Sequence, residues 1–220
     1  MEIWGVVVAG GTGTRFGAPK QLADLAGSRI VDRSIEGLRK RVDGLVVVGP
    51  VELGSAEAMS VNTVVPGGSS RSESVRQGLA ALPATATHVL IHDAARPLVS
   101  DELVGRVVDA LVAGSPAVVP VVPITDTLRS VDGGTVDRSG LVGVQTPQGF
   151  ELSGLLAAHD LHIEGTDDAS VVEAVGVAVD HVRGSMANLK VTFPHDLAVA
   201  EVLLELPTDE LAAIDEAAGR

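Results

Sequence analysis

The chain has 220 residues, of which 45% are hydrophobic but only 2% aromatic, and a formal net charge of −13. That length suits one larger domain with a core of Val, Leu, Ala and Ile, and the acidity argues against nonspecific nucleic-acid binding. The sequence holds no cysteine, which excludes disulfides and thiolate metal sites, and no apolar run approaches the roughly 20 residues of a membrane span. The N-terminus shows no basic region ahead of an apolar one, so a cytoplasmic location is expected.

Residues 3–8 are short and Val-rich, as a buried parallel strand should be. They run into Ala9-Gly10-Gly11-Thr12-Gly13-Thr14-Arg15 and then Pro19-Lys20. Glycines let the backbone turn sharply and bring bare N–H groups to a ligand. Such groups form a concavity for phosphate oxygens, with Arg15 and Lys20 adding full charge beside it. The spacing is neither that of a P-loop nor a complete dinucleotide fingerprint. The chain has only three lysines, Lys20, Lys40 and Lys190, so cations must be placed locally.

A helix is expected at 30–41, strands at 44–48 and 63–65, and an ambiguous short segment at 56–59. Gly67-Gly68-Ser69-Ser70-Arg71 follows, and Ser70 with Glu73 has capping-box spacing. This reads as a second junction with N–H groups facing a ligand, or as a plain capped helix. Residues 88–92 form a strand ending at Asp93. A carboxylate there sits where α/β sheets bind ligands, and Asp93 suits a magnesium ion that takes its remaining ligands from substrate phosphates. Arg96 is positioned to contact phosphate. His92 is apolar-flanked and reads as a packed histidine.

A helix at 100–112 stops at Gly114, and a strand covers 117–122. The polar runs 127–131 and 135–142, punctuated by Gly133 and Gly134, read as a hairpin. Beyond it, helices are expected at 151–159 and 169–175. Strands are expected at 177–182 and 188–192, with closing helices from 196 and 208. Asp167 and Asp168 are either caps or ligands. Five strand–helix alternations imply an α/β fold with a three-layer, mostly parallel, Rossmann-like sheet. Residues 1–220 are read as a single nucleotidyltransferase domain with a protruding β-hairpin arm at about 125–143.

Several motifs together resemble, in order, the 2-C-methyl-D-erythritol 4-phosphate cytidylyltransferases of the non-mevalonate isoprenoid pathway. They are the first loop with Pro19-Lys20-Gln21, Gly67-Gly68-x-x-Arg71, His92-Asp93-Ala94-Ala95-Arg96-Pro97, Thr146-Pro147-Gln148, Thr166-Asp167-Asp168-Ala169-Ser170 and Asn188-Leu189-Lys190-Val191-Thr192. Ribitol-5-phosphate cytidylyltransferases share most of the pattern. Only four residues separate Arg15 from Lys20, a shorter loop than the family's usual one, and the hairpin is also short.

The resemblance implies transfer of a cytidylyl group from CTP to a polyol phosphate, with magnesium (or another divalent cation) at Asp93. Arg15 and Lys20 would hold the CTP phosphates. Ala9, Gly10, Gly11, Gly13, Gly68, Ser69, Arg71, Ser74, Ala94 and Arg96 would form the rest of the nucleotide site. Thr127, Arg138, Thr166, Asp167 and Lys190 would hold the acceptor phosphate. Thr127 and Arg138 would act across a homodimer clasped by the arm. The alternatives are a ribitol-phosphate or other polyol-phosphate enzyme, and a non-catalytic nucleotide-binding protein.

Overall fold

The computed structural model of the protein describes residues 1–11 and 13–218. Thr12 of the first loop and Gly219 and Arg220 of the expected tail lie outside the described residues. Along the chain come β1 (Ile3–Val8), β2 (Asp24–Leu25), β3 (Ser28–Arg29), α1 (Ile30–Arg39), β4 (Gly44–Val48), β5 (Thr63–Val65), α2 (Arg71–Ala80), β6 (His88–Asp93) and α3 (Asp101–Val112). There follow β7 (Ala117–Pro123), β8 (Leu128–Arg129), β9 (Thr135–Val136), β10 (Val142–Val144), β11 (Gln148–Glu151), α4 (Leu152–Asp160), α5 (Asp168–Glu173), β12 (Asp180–Arg183), α6 (His195–Glu205) and α7 (Thr208–Ala218).

Strand β1 lies between β4 and β6 and is parallel to both, with Val6 opposite Val46 and Ile91. Strand β5 extends this parallel half beyond β4. The other half is mixed. Strand β11 runs antiparallel to β6 and β7, β10 antiparallel to β7, and β12 parallel to β7.

Alternation along the strands sorts side chains to two faces. Val7, Val47 and Leu90 pack with Val31, Ile35 and Leu38 of α1 and with Leu103, Val107 and Leu111 of α3. Val6, Val46, Val89 and Ile91 pack on the opposite side with Val75 and Leu79 of α2, Leu155 of α4 and Val171 of α5. These are the three layers. A Cβ on Gly78 would come within 2.5 Å of Val6 Cγ1, so α2 lies directly on β1. A third small cluster, with Leu25, Ile30, Val191 and Ala200, seats α6 and receives Phe16 from the first loop.

Helix starts follow the expected chemistry. The Ser70 hydroxyl accepts from Glu73 N at 3.1 Å, and Ser100 from Leu103 N at 3.2 Å. Gly114 takes φ +100° just past the end of α3.

Two local expectations are corrected, and one strand was not anticipated. Gln148–Glu151 is a strand, because Phe150 pairs with Val89 and Ala117 and is fully buried between them. Residues 188–192 are not a strand. Asn188 uses its side chain on Thr146 O (2.9 Å) and its carbonyl on Arg96 Nη1 (2.8 Å), which leaves no ladder to form. The hairpin is smaller than its two runs suggested. It pairs only Leu128 with Val136 and Arg129 with Thr135, and the end of the second run joins the main sheet as β10.

Phe150 fills the centre of one core face, so Phe150→Ala should lower the unfolding free energy by about 3–5 kcal/mol. Denaturant titration reads this directly, and a loss below about 1 kcal/mol would contradict so central a place for β11.

Candidate active site

The site lies at the carboxyl edge of the parallel half. Val8, the last residue of β1, sits beside Val48 and Asp93, the last residues of β4 and β6. The loop after β1 turns at Gly13, whose φ is +66°, and a Cβ there would lie 1.9 Å from Ala18 O. Only glycine fits. Gly13 O then accepts from Phe16 N and Gly17 N, each at 2.8 Å. The N–H groups of Gly10 and Gly11 have no protein partner among the described residues, so they are open to a ligand. Arg15 is exposed, with its guanidinium 5.9 Å from the Phe193 ring centroid. Lys20 donates to Val191 O at 2.7 Å. Partial burial and the like charge of Lys190 hold its ammonium below the ordinary lysine pKa.

The second glycine junction takes the form of the capped helix, the plainer of its two readings. Two of its backbone donors are used inside the loop. Gly68 N donates to Ser74 Oγ at 3.0 Å, and Ser69 N donates to Glu73 Oε2 at 2.6 Å. What it contributes is shape. A Cβ on Gly10 would lie 3.2 Å from Ser74 Oγ, so the two loops approach closely and form one wall each of a cleft of about 350 Å³. Arg15, Lys20, Arg71 and Lys190 line that cleft, and Asp93 is its one acidic residue among those described. In a protein of net charge −13, four cations against one carboxylate mark an anion site.

Asp93 is buried. Its Oδ2 accepts from Lys190 Nζ at 2.6 Å, and its Oδ1 from Arg71 Nε at 3.4 Å. Burial favours the neutral acid, but Arg71 and Lys190 outweigh it and hold the carboxyl well below the usual carboxylate range. Arg71 donates through Nη1 to the buried Asp168 at 2.7 Å. Burial opposes its charge, but Asp168 and Asp93 together raise its pKa.

Arg71, Asp93 and Lys190 also line a second cavity of about 390 Å³. Thr166, Asp167, Thr146 and Gln148 complete much of that wall. The two cavities therefore meet along one trio of charged side chains.

The structure brings Ala9, Gly10, Gly11, Arg15, Lys20, Gly68, Ser69, Arg71, Ser74 and Ala94 to the first cleft, with Asp93 and Lys190. Gly13 shapes its loop. Arg96 instead lines the second cavity, with Nη1 and Nη2 on Asn188 O (2.8 Å) and Val144 O (3.4 Å). Thr166 and Asp167 line the second cavity too, and Asp167 caps α5 by accepting from Ser170 N at 3.0 Å. Thr127 and Arg138 line neither cavity. Both are exposed, and Arg138 folds back on the carbonyls of Ile124, Thr125 and Asp126.

Residues 3–206 match the family described as 2-C-methyl-D-erythritol 4-phosphate cytidylyltransferase. The chain belongs to the 2-C-methyl-D-erythritol 4-phosphate cytidylyltransferase family. It is 44% identical over 214 residues to the cytidylyltransferase of that name from Nocardia farcinica, covering 91% of this chain and 93% of that one. It is also 44% identical over 209 residues to the bifunctional enzyme IspD/IspF of Paracoccus denitrificans, where it spans 90% of this chain but only 55% of the relative. The crystal structure of the Thermus thermophilus cytidylyltransferase superposes with a TM-score of 0.80 at 33% identity, covering 91% and 98% of the two chains.

Membership in this cytidylyltransferase family does not by itself locate Asp168, His159 or Gln148; sequence reasoning passed over His159, read Asp168 as a cap or a ligand, and placed Gln148 in a motif without a role. Gln148 Nε2 donates to Asp167 Oδ2 at 2.7 Å, while its Oε1 accepts from Asp168 N and Ala169 N, each at 3.2 Å. Only the Thr-Asp-Asp run hinted at this, and it reads equally well as a cap.

Among the described residues no three His, Cys, Asp or Glu side chains cluster as metal ligands. Asp93, with Lys190 and Arg71 on its two oxygens, is the carboxylate that lines both cavities. Among the described residues no helix is long and apolar enough to cross a membrane.

His92 lies directly behind this cytidylyltransferase-family site, fully buried, with its ring nitrogens 3.1 Å from Thr146 Oγ1 and from Arg96 O. Burial pushes its pKa down from 6.5 to about 4. A histidine held neutral in the fold stabilises above its unfolded pKa, and that stability is lost as pH falls from about 6.5 toward 4. Comparing His92→Gln with wild type by denaturation at pH 7 and pH 5 should show wild type losing about 2 kcal/mol more than the variant. Equal losses would contradict a neutral buried imidazole.

Proposed function

We propose that this chain transfers the cytidylyl group of CTP to 2-C-methyl-D-erythritol 4-phosphate, forming CDP-methylerythritol and pyrophosphate for isoprenoid precursor synthesis. The observation that carries the reading is the pair of cavities sharing Arg71, Asp93 and Lys190. Two polyanionic substrates can meet there without meeting each other's charge unscreened. Family membership supplies the identity of the substrates.

In this reading CTP occupies the first cleft. Gly10 and Gly11 N–H, Arg15 and Lys20 face the triphosphate, and Ala9, Gly68, Ser69 and Ser74 surround the base. The acceptor lies in the second cavity beside Thr166 and Asp167. Its phosphate monoester has a second pKa of about 6 and is largely ionised at neutral pH, so no general base is needed. One of its oxygens attacks the α-phosphorus, and the bond to the β-phosphate oxygen breaks as pyrophosphate leaves. Arg15, Lys20 and Lys190 hold the charge that develops, placed in advance of the reaction. Magnesium, held by Asp93 with the phosphates, would supply further charge neutralisation.

Residues 1–220 act as one nucleotidyltransferase domain in the cytoplasm in this reading. Thr127 and Arg138 serve the site of a second copy in this reading, since neither lines either of these two cavities in its own chain. Sedimentation should then find a homodimer, and a strict monomer would remove both residues from the site.

The decisive assay is pyrophosphate release from CTP with magnesium, run with methylerythritol phosphate and, in parallel, ribitol 5-phosphate. Release is expected with the first acceptor. Lys20→Ala and Arg15→Ala should each lower it by roughly 10²-fold or more. Release with ribitol 5-phosphate alone would overturn the acceptor, and CTP binding with no release would overturn the enzyme.

A further inference from the structure

Behind Arg71 lies a chain of buried polar side chains that the proposed chemistry does not use. His159 sits in the last turn of α4 and Asp168 in the first turn of α5, with side chains only 2% and 1% exposed. His159 Nε2 lies 3.1 Å from Asp168 Oδ1, and Arg71 Nη1 lies 2.7 Å from Asp168 Oδ2. Each carboxylate oxygen thus faces a different donor. A carboxylate beside a guanidinium accepts and does not donate, so the shared proton belongs to His159 Nε2. His159 Nδ1 is buried with no partner among the described residues, which is consistent with a bare lone pair at that end.

The backbone beneath Asp168 is fixed independently. Gln148 Oε1 accepts from Asp168 N, and Asp167 caps the same turn. What is left to be set is the rotation of the Asp168 carboxylate, whose Oδ2 faces Arg71 and whose Oδ1 faces His159. Arg71 then has one end held by Asp168 while its Nε faces Asp93, on the wall between the two cavities. Burial makes this exacting. An unanchored carboxylate in a dry site loses a hydrogen bond that water does not replace.

We infer that His159 is a positioning residue, which orients Asp168 and through it presents Arg71 at the boundary where the two substrates meet. This rests on the cytidylyl-transfer reading for its catalytic consequence, while the orientation itself does not.

The test uses the full chain with two substitutions. His159→Leu keeps bulk and removes the donor, and His159→Gln restores a donor at a similar reach. Two readouts are taken on each folded protein. The first is the Arg71 side-chain N–H signal by NMR without substrate. It should be ordered in wild type and His159→Gln and broadened or lost in His159→Leu. The second is turnover with CTP and acceptor. His159→Leu should lower kcat by about tenfold or more while the Kd for CTP moves less than about threefold, and His159→Gln should recover most of kcat. An ordered Arg71 and wild-type kcat in His159→Leu would overturn the inference, as would equal impairment of both variants, which would make His159 a packing residue. Should His159→Leu not fold, wild-type ring-nitrogen shifts decide. A proton on Nε2 supports the arrangement, and a proton on Nδ1 alone overturns it. Should wild type release no pyrophosphate, the functional reading fails and the NMR readouts still judge the relay.

Discussion

An ionised carboxylate buried at the end of a central strand is the constraint around which this site is built. Water no longer solvates Asp93, so the fold must provide opposite charge in its place. Lys190 and Arg71 provide it from opposite directions in the sequence, 97 and 22 residues away respectively. Removing either would leave a buried charge partly uncompensated. Both cations are in turn held, since Arg71 is gripped by Asp168 and Lys190 sits on a segment whose Asn188 is anchored to Thr146 and Arg96.

The same pairing explains why the site is divided. Strand β6 ends at the centre of the sheet, so whatever surrounds Asp93 stands between the glycine loop on one side and the α5 start on the other. Cations concentrated on that wall lower the cost of bringing two phosphates together, which is the main obstacle in phosphoryl transfer between polyanions. The first loop contributes by exposure of its N–H groups, and the second by shape. Chemically similar glycine runs thus serve different ends, decided by whether a nearby hydroxyl or carboxylate captures their donors.

Much of this was legible in the sequence where the signal was local. Val-rich runs ending in glycine or aspartate marked the parallel strands, and Ser70 with Glu73 announced its helix through capping. The cations of the first cleft were legible because lysines are so few. What escaped was carried by distant partners. Gln148–Glu151 has neither alternation nor β-branched residues, and only pairing with β6 and β7 makes it a strand. Residues 188–192 look strand-like, but the N–H groups of Asn188, Leu189 and Val191 go to Ser185, Ala187 and Ala95 carbonyls and build no ladder. Arg96 and Asp168 were hidden for the same reason. Each carries a charge that sequence position alone assigns to a ligand or a cap, and burial assigns to another residue. The polar runs at 127–142 predicted a larger hairpin than forms, because turn chemistry fixes where a chain reverses and not how far the strands pair.

The central claim is that CTP and the acceptor occupy separate cavities that meet at Arg71, Asp93 and Lys190. A crystal structure with CTP and an unreactive acceptor analogue tests it most directly. The expected result is a triphosphate against Gly10, Gly11, Arg15 and Lys20, an acceptor phosphate beside Thr166, and the α-phosphorus at the shared wall. A triphosphate bound in the cavity of Gln148 and Thr166, or both ligands on one side of Asp93, would contradict it.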